Sequence, residues 1–92
     1  MNEQEELFME FWSVFSDAVG IVGVFLLLVA YYLLSAGKWS AQTLKYQLFN
    51  FFGAGCILFS LFFHWNTSAV IIEIAWMMIG VVGMYRIWRA RT

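Results

Sequence analysis

The stretch AVGIVGVFLLLVAYYLLSAG, Ala18 to Gly37, carries no charged side chain. A helix needs ~20 predominantly apolar residues to cross the hydrocarbon of a bilayer, and this run has that length. Working outward, Tyr46 to Phe63 is also free of charge, and Thr67 to Ile87 holds only Glu73 and Arg86. The pattern predicts an all-α membrane protein with three transmembrane helices, at about 18–36, 44–64 and 68–88. The connections GKWSAQT and HWNTS are short, and the chain has no proline to kink a helix.

The bulk composition agrees. Of 92 residues, 63% are hydrophobic and 12% charged, and the mean hydropathy is +0.78. A soluble chain this short has too little interior to hide that much apolar surface. No basic run points to nucleic acid. Cys56 stands alone in an apolar segment, so no disulfide framework or metal cluster is expected, and plain packing explains it.

The first seventeen residues differ. They contain Glu3, Glu5, Glu6, Glu10 and Asp17 and no Lys or Arg, unlike a secretory signal with its basic start. Leu7, Phe8, Phe11, Trp12 and Phe15 recur at helical spacing, with acids opposite. Residues 1–17 therefore read as a separate amphipathic segment before a membrane domain at 18–92. It either lies on the membrane surface or docks on a partner.

Charge sets an orientation. Lys38, Lys45, Arg86, Arg89 and Arg91 all fall on one side of a three-span chain. The positive-inside rule predicts an outside N-terminus and a cytoplasmic C-terminus. Trp39, Tyr46, Trp65, Tyr85 and Trp88 sit near the span ends, where anchoring aromatics belong.

Each span has one face of small and polar residues at intervals of three or four. They are Asp17, Gly20, Gly23, Leu27, Ala30 and Leu34; then Tyr46, Asn50, Gly53, Ile57 and Ser60; then Glu73, Trp76, Gly80 and Gly83. Gly20, Gly23, Gly53, Gly80 and Gly83 are expected to let helix backbones approach. Asn50 reads either as interhelical glue or as a ligand contact, since an amide in hydrocarbon needs a partner. Glu73 lies about five residues below the outer edge of its span, or roughly 7 Å. An ionised carboxylate there needs a partner or water. Its partner is either a neighbouring helix, through Ser60 or Asn66, or an ion held with Asp17 and His64. His64 could equally rest at the water boundary. Towards the inner side lie Tyr46, Gln47 and Asn50, chemistry that suits a neutral polar solute or interhelical bonding. No nucleophile has a recognisable base, no spacing suggests a metal site, and no cofactor is implied, so no enzyme is expected.

The blocks GIVG, AYYLL, GKWSAQTLKYQLFNFFGAG, SLFFHWN and VIIEIAW resemble an uncharacterised family of small bacterial membrane proteins often labelled "permease". The resemblance runs through Gly20, Gly23, Tyr31, Gly37, Lys38, Ser40, Tyr46, Gln47, Asn50, Gly53, Ser60, Leu61, Asn66, Glu73 and Trp76. More loosely, the order of features is similar to that of the SemiSWEET sugar transporters, three-helix units that work as dimers around a polar pocket near the midplane. Those proteins bend at a Pro-Gln motif, and this chain has no proline.

Two functions are expected from these observations. One is a minimal transporter acting as a homo-oligomer, most simply a dimer, on a small polar solute or ion. Tyr46, Gln47, Asn50 and Trp76 would contact the solute, and Glu73, His64 and Asp17 would couple a proton or cation. The other is an accessory subunit that assembles on a larger membrane complex through its glycine faces.

Overall fold

Asn2 starts the first helix by accepting a 2.8 Å hydrogen bond from the Glu5 backbone N–H. Glu3, Glu5 and Glu6 fill the first turn, where carboxylates suit the positive end of the helix dipole. Nothing then interrupts the helix. There is no proline, and the first glycine is Gly20. In the computed structural model, which describes the backbone of residues 2–91 and the side chains of 2–90, helix α1 runs unbroken over Glu3–Ser35. The expected separation of an N-terminal helix from the first span is corrected here: one helix of 33 residues replaces both. The described residues show no break at Asp17, and Met1 and Thr92 lie outside them.

Gly37 ends α1. Its φ of +75° is a left-handed conformation that costs glycine little. Its N–H donates to the Leu34 carbonyl (3.1 Å), and the Lys38 N–H donates to the Leu33 carbonyl (2.9 Å). Together these form a Schellman cap that turns the chain sharply. After a short loop comes α2, Leu44–Leu61. It stops three residues before the expected end at 64, because Phe62, Phe63 and His64 donate back to the Phe59 and Ser60 carbonyls in a tightened turn. Asn66 then accepts from the Ala69 N–H (3.1 Å) and caps α3, Thr67–Arg91.

The three helices form a row. Helix α2 packs on α1 along one side and on α3 along the other, and α1 and α3 do not pack on each other. The described residues contain no strand. Helices α1 and α3 are long and apolar enough to cross a membrane. Helix α2 is shorter, with 18 residues, and carries Lys45, Gln47 and Asn50 in its first two turns.

Most of what is buried among the described residues is small or polar: Ala30, Ala54, Ser16, Gln47 and Asn50, together with Gly20, Gly23 and Gly53, with Val70 the larger apolar exception. Large apolar side chains face outward, as with Ile79 at 70% exposure and Phe25 at 66%. A water-soluble core has the reverse arrangement.

Helices α1 and α2 meet where both lack side chains. A Cβ on Gly23 would stand 2.5 Å from the Gly53 carbonyl oxygen and 2.7 Å from Cys56 Cβ. Leu27 fills the space over Gly53 in return, at 2.9 Å from where its Cβ would be. Above this crossing, α1 continues upward. Trp12 stacks on Phe63 (6.2 Å, 9°), and Phe15 meets Phe59 edge-on (6.2 Å, 85°). These rings hold the first half of α1 against the C-terminal end of α2. At 1.5 Å per residue α1 is about 50 Å long, well beyond a ~30 Å hydrocarbon layer.

Gly23→Val should weaken the α1–α2 contact by about 1–3 kcal/mol, the usual cost of overpacking. Gly55→Ala should be neutral or slightly stabilising, since a Cβ there meets only Met77 Cε, at 3.7 Å. Denaturant unfolding in detergent measures both.

Candidate functional site

The α2–α3 seam is polar where the α1–α2 seam is bare. Gln47 and Asn50 are one turn apart on α2 and are 8% and 6% exposed. Asn50 Oδ1 accepts a 2.8 Å hydrogen bond from the Trp76 indole N–H. Gln47 Nε2 donates to the Ala41 carbonyl (2.8 Å), tying the α1–α2 loop to the start of α2. The Gln47 amide lies on Gly83: a Cβ there would sit 2.8 Å from Gln47 Nε2. The absent side chain at Gly83 therefore makes room for the amide. Gly80, one turn earlier, is buried and faces the same amide at 3.9 Å.

Five of the residues picked out from sequence thus meet on one seam: Gln47, Asn50, Trp76, Gly80 and Gly83. Tyr46 does not join them. It is half-buried and makes no hydrogen bond among the described residues. Gly20, Gly23 and Gly53 lie on the other seam, with Gly20 against Ser60.

Glu73 stands one turn from Trp76 towards the N-terminal end of α3. Its Oε2 is buried and has no hydrogen-bond partner among the described residues. Both partners suggested for it within the chain are engaged elsewhere. Ser60 packs on Gly20, and the Asn66 side chain caps α3.

The expected grouping of Asp17, His64 and Glu73 does not form. Among the described residues no three His, Cys, Asp or Glu side chains converge in a way that could hold a metal ion. Asp17 and His64 do meet, at 3.1 Å between Oδ1 and Nε2, with Ser13 Oγ 3.2 Å from the same nitrogen. Their side chains are 59% and 43% exposed, so the pair lies on the surface. It ties α1 to the α2–α3 turn. The separation from Glu73 has a geometric cause: Asp17 is on α1 and Glu73 on α3, and these helices do not pack together.

The structure adds a cleft that sequence reasoning missed. About 480 Å³ in volume, it opens between the α1–α2 loop and the last turns of α3. Gln42, Gln47, Ile79, Val82, Gly83 and Arg86 are among its lining residues. One signal was available. Arg86 continues the Gly80–Gly83 face at the same interval of three, and in sequence it served only to set orientation.

Replacing Trp76 by Phe should leave the buried Asn50 oxygen unpaired and cost about 1 kcal/mol. A double-mutant cycle of Trp76→Phe with Asn50→Leu should return a coupling of about 0.6–1.7 kcal/mol by unfolding in detergent. By the same measurement, Asp17→Asn should shift stability by less than about 1 kcal/mol, as for exposed ion pairs.

No curated protein and no solved structure matches the chain. A family model does match, over residues 16–91, which takes in α2, α3 and α1 from Ser16 onward. The chain belongs to that uncharacterised family.

Proposed function

We propose that this is a small integral protein of the bacterial cytoplasmic membrane, three helices across, working as a homo-oligomeric, permease-type unit on a small polar solute or ion. The outward-facing apolar side chains and the buried glycines and amides support the membrane placement. Helix α2, at 18 residues, is about 27 Å long, slightly short of a ~30 Å hydrocarbon layer and at the lower end of the ~17–25 residues of spanning helices. Lys38, Lys45, Arg86 and Arg89 gather at one end of the row, and the acids of α1 project at the other. That asymmetry supports an outside N-terminus.

The observation that carries the transport reading is a line of polar groups along the α2–α3 seam. It starts in the cleft at Gln42, Arg86 and Gln47, passes the Asn50–Trp76 bond and ends at the unpartnered carboxylate oxygen of Glu73. In a single protomer Gln47 and Asn50 are already buried on this seam, and α1 does not pack on α3 to enclose the rest of it. A second copy would close it, most simply as a two-fold dimer. A solute moving along the seam would exchange its own hydrogen bonds for those of Asn50 with Trp76 and Gln47 with Ala41. Glu73 would take or release the coupled proton or cation. Asp17 and His64 stand apart from this line and have no role in it.

One observation favours the second reading, an accessory subunit of a larger complex. Asn50 and Gln47 are already bonded within the chain, as interhelical glue would be. The projecting half of α1 would then be a partner contact.

Reconstituted vesicles separate the two. Proton flux, read with an entrapped pH dye, and uptake from a panel of labelled sugars and amino acids are the measurements. Transport predicts activity above empty vesicles that falls at least tenfold in Glu73→Gln or Asn50→Ala, while Asp17→Asn stays near the parent. Flux unchanged by both seam substitutions, or no flux for any probe, removes the transport reading.

A further inference from the structure

We infer that the cleft between the α1–α2 loop and the end of α3 is a binding site for an anionic phospholipid, with its phosphate at Arg86 and an acyl chain along Ile79 and Val82. The inference rests on the bilayer placement above but not on transport. Three observations carry it.

The first is charge. Arg86 lines the cleft and has no ion-pair or hydrogen-bond partner among the described residues. No acidic side chain of this chain is at hand to serve it. Beyond Asp17 the sequence has one acid, Glu73, thirteen residues up α3, or about 20 Å away along the axis. Lys38 and Lys45 share the same end. The Arg86 charge therefore lacks a counter-charge among the described residues, and a bilayer offers lipid phosphate at that depth. Basic pockets at the cytoplasmic ends of membrane helices bind anionic headgroups for this reason.

The second is the order of polarity along the cleft. Arg86, its one charged group, and Gln42 lie towards the loop, with the apolar Ile87 and Ala90 beside them. Ile79 and Val82 form an apolar wall one to two turns deeper on α3, with the Gln47 amide across from them. Seven residues separate Ile79 from Arg86, roughly 10 Å along the axis. A phospholipid has the same sequence of a charged head followed by an apolar tail. A free phosphate or a small soluble anion would use the head of the cleft and leave its wall uncovered.

The third is shape. One wall of the cleft is fixed by chemistry specific to this seam. Gln47 lies on Gly83 and donates to the Ala41 carbonyl, which sets the position of the loop beside α3. The volume, about 480 Å³, exceeds what a phosphate alone would fill.

The test is native mass spectrometry of protein reconstituted in mixed phosphatidylglycerol–phosphatidylcholine vesicles and then released into mild detergent. The unmodified protein should retain phosphatidylglycerol in preference to phosphatidylcholine. Arg86→Gln should lower that retention about fivefold, the worth of one interfacial cation. Arg86→Lys should restore most of it, and Arg89→Gln should change it less than twofold. Val82→Trp, on an exposed face that tolerates bulk, should lower retention by filling the apolar wall. Equal losses in Arg86→Gln and Arg89→Gln would mean general surface charge and overturn the site. Displacement of the lipid by excess inorganic phosphate, with Val82→Trp without effect, would assign the cleft to a free anion and overturn the lipid. Failure of the protein to partition into vesicles would sink the bilayer placement along with the site; partition without phosphatidylglycerol preference sinks the site alone.

Discussion

Everything in this fold hangs on α2 having two different faces. One face is stripped to glycine so that the α1 backbone can come within reach of the Gly53 carbonyl. The other carries two amides that must be bonded because they are buried. The first contact is made of shape and dispersion, which demand close approach. The second is made of directional hydrogen bonds, Asn50 with Trp76 and Gln47 with the loop. Because the two faces engage different helices, α2 stands between its neighbours, and α1 and α3 do not pack on each other.

That row has consequences at both ends. At the end where α2 turns into α3, the aromatic rings of α1 and α2 interlock, and the exposed Asp17–His64 pair adds a tie to the turn beyond. The carboxylate of Glu73, on the far helix, is left out of this group. At the opposite end the Gln47 amide occupies the space over Gly83 and binds the loop, and the cleft beside Arg86 lies between that loop and α3. The same amide thus packs one seam and lines its mouth.

Several features were legible before any coordinates. The three apolar runs gave three helices because charge-free segments of that length have few alternatives. The small residues every three or four positions marked the contact faces, and Gln47, Asn50, Trp76, Gly80 and Gly83 do share one seam. The separate N-terminal helix was misjudged for a clear reason. A change of composition at Asp17 and Ala18 suggested a boundary, yet a helix ends only where a backbone breaker or cap ends it, and residues 3–35 contain no proline and no cap before Gly37. The end of α2 was misjudged by three residues because the tightened turn at Phe62–His64 has no distinctive residue in it.

The sequence by itself determined helix content, the small and polar residues from which the contacts are built, and the gathering of positive charge at one end, because these follow from local spacing and composition. The single α2 face read from Tyr46, Asn50, Gly53, Ile57 and Ser60 is divided by the structure, with Gly53 and Ser60 against α1 and Asn50 against α3. Only the tertiary structure decided which face meets which helix. It put Asp17 beside His64 and kept Glu73 away from both. It showed that Asn50 is bonded to Trp76 and that Ser60 belongs to Gly20. It set Arg86 in a cleft with Gln42 and Gln47. These are pairings between residues far apart in the chain, and spacing along one helix carries no information about the rotation or order of its neighbours.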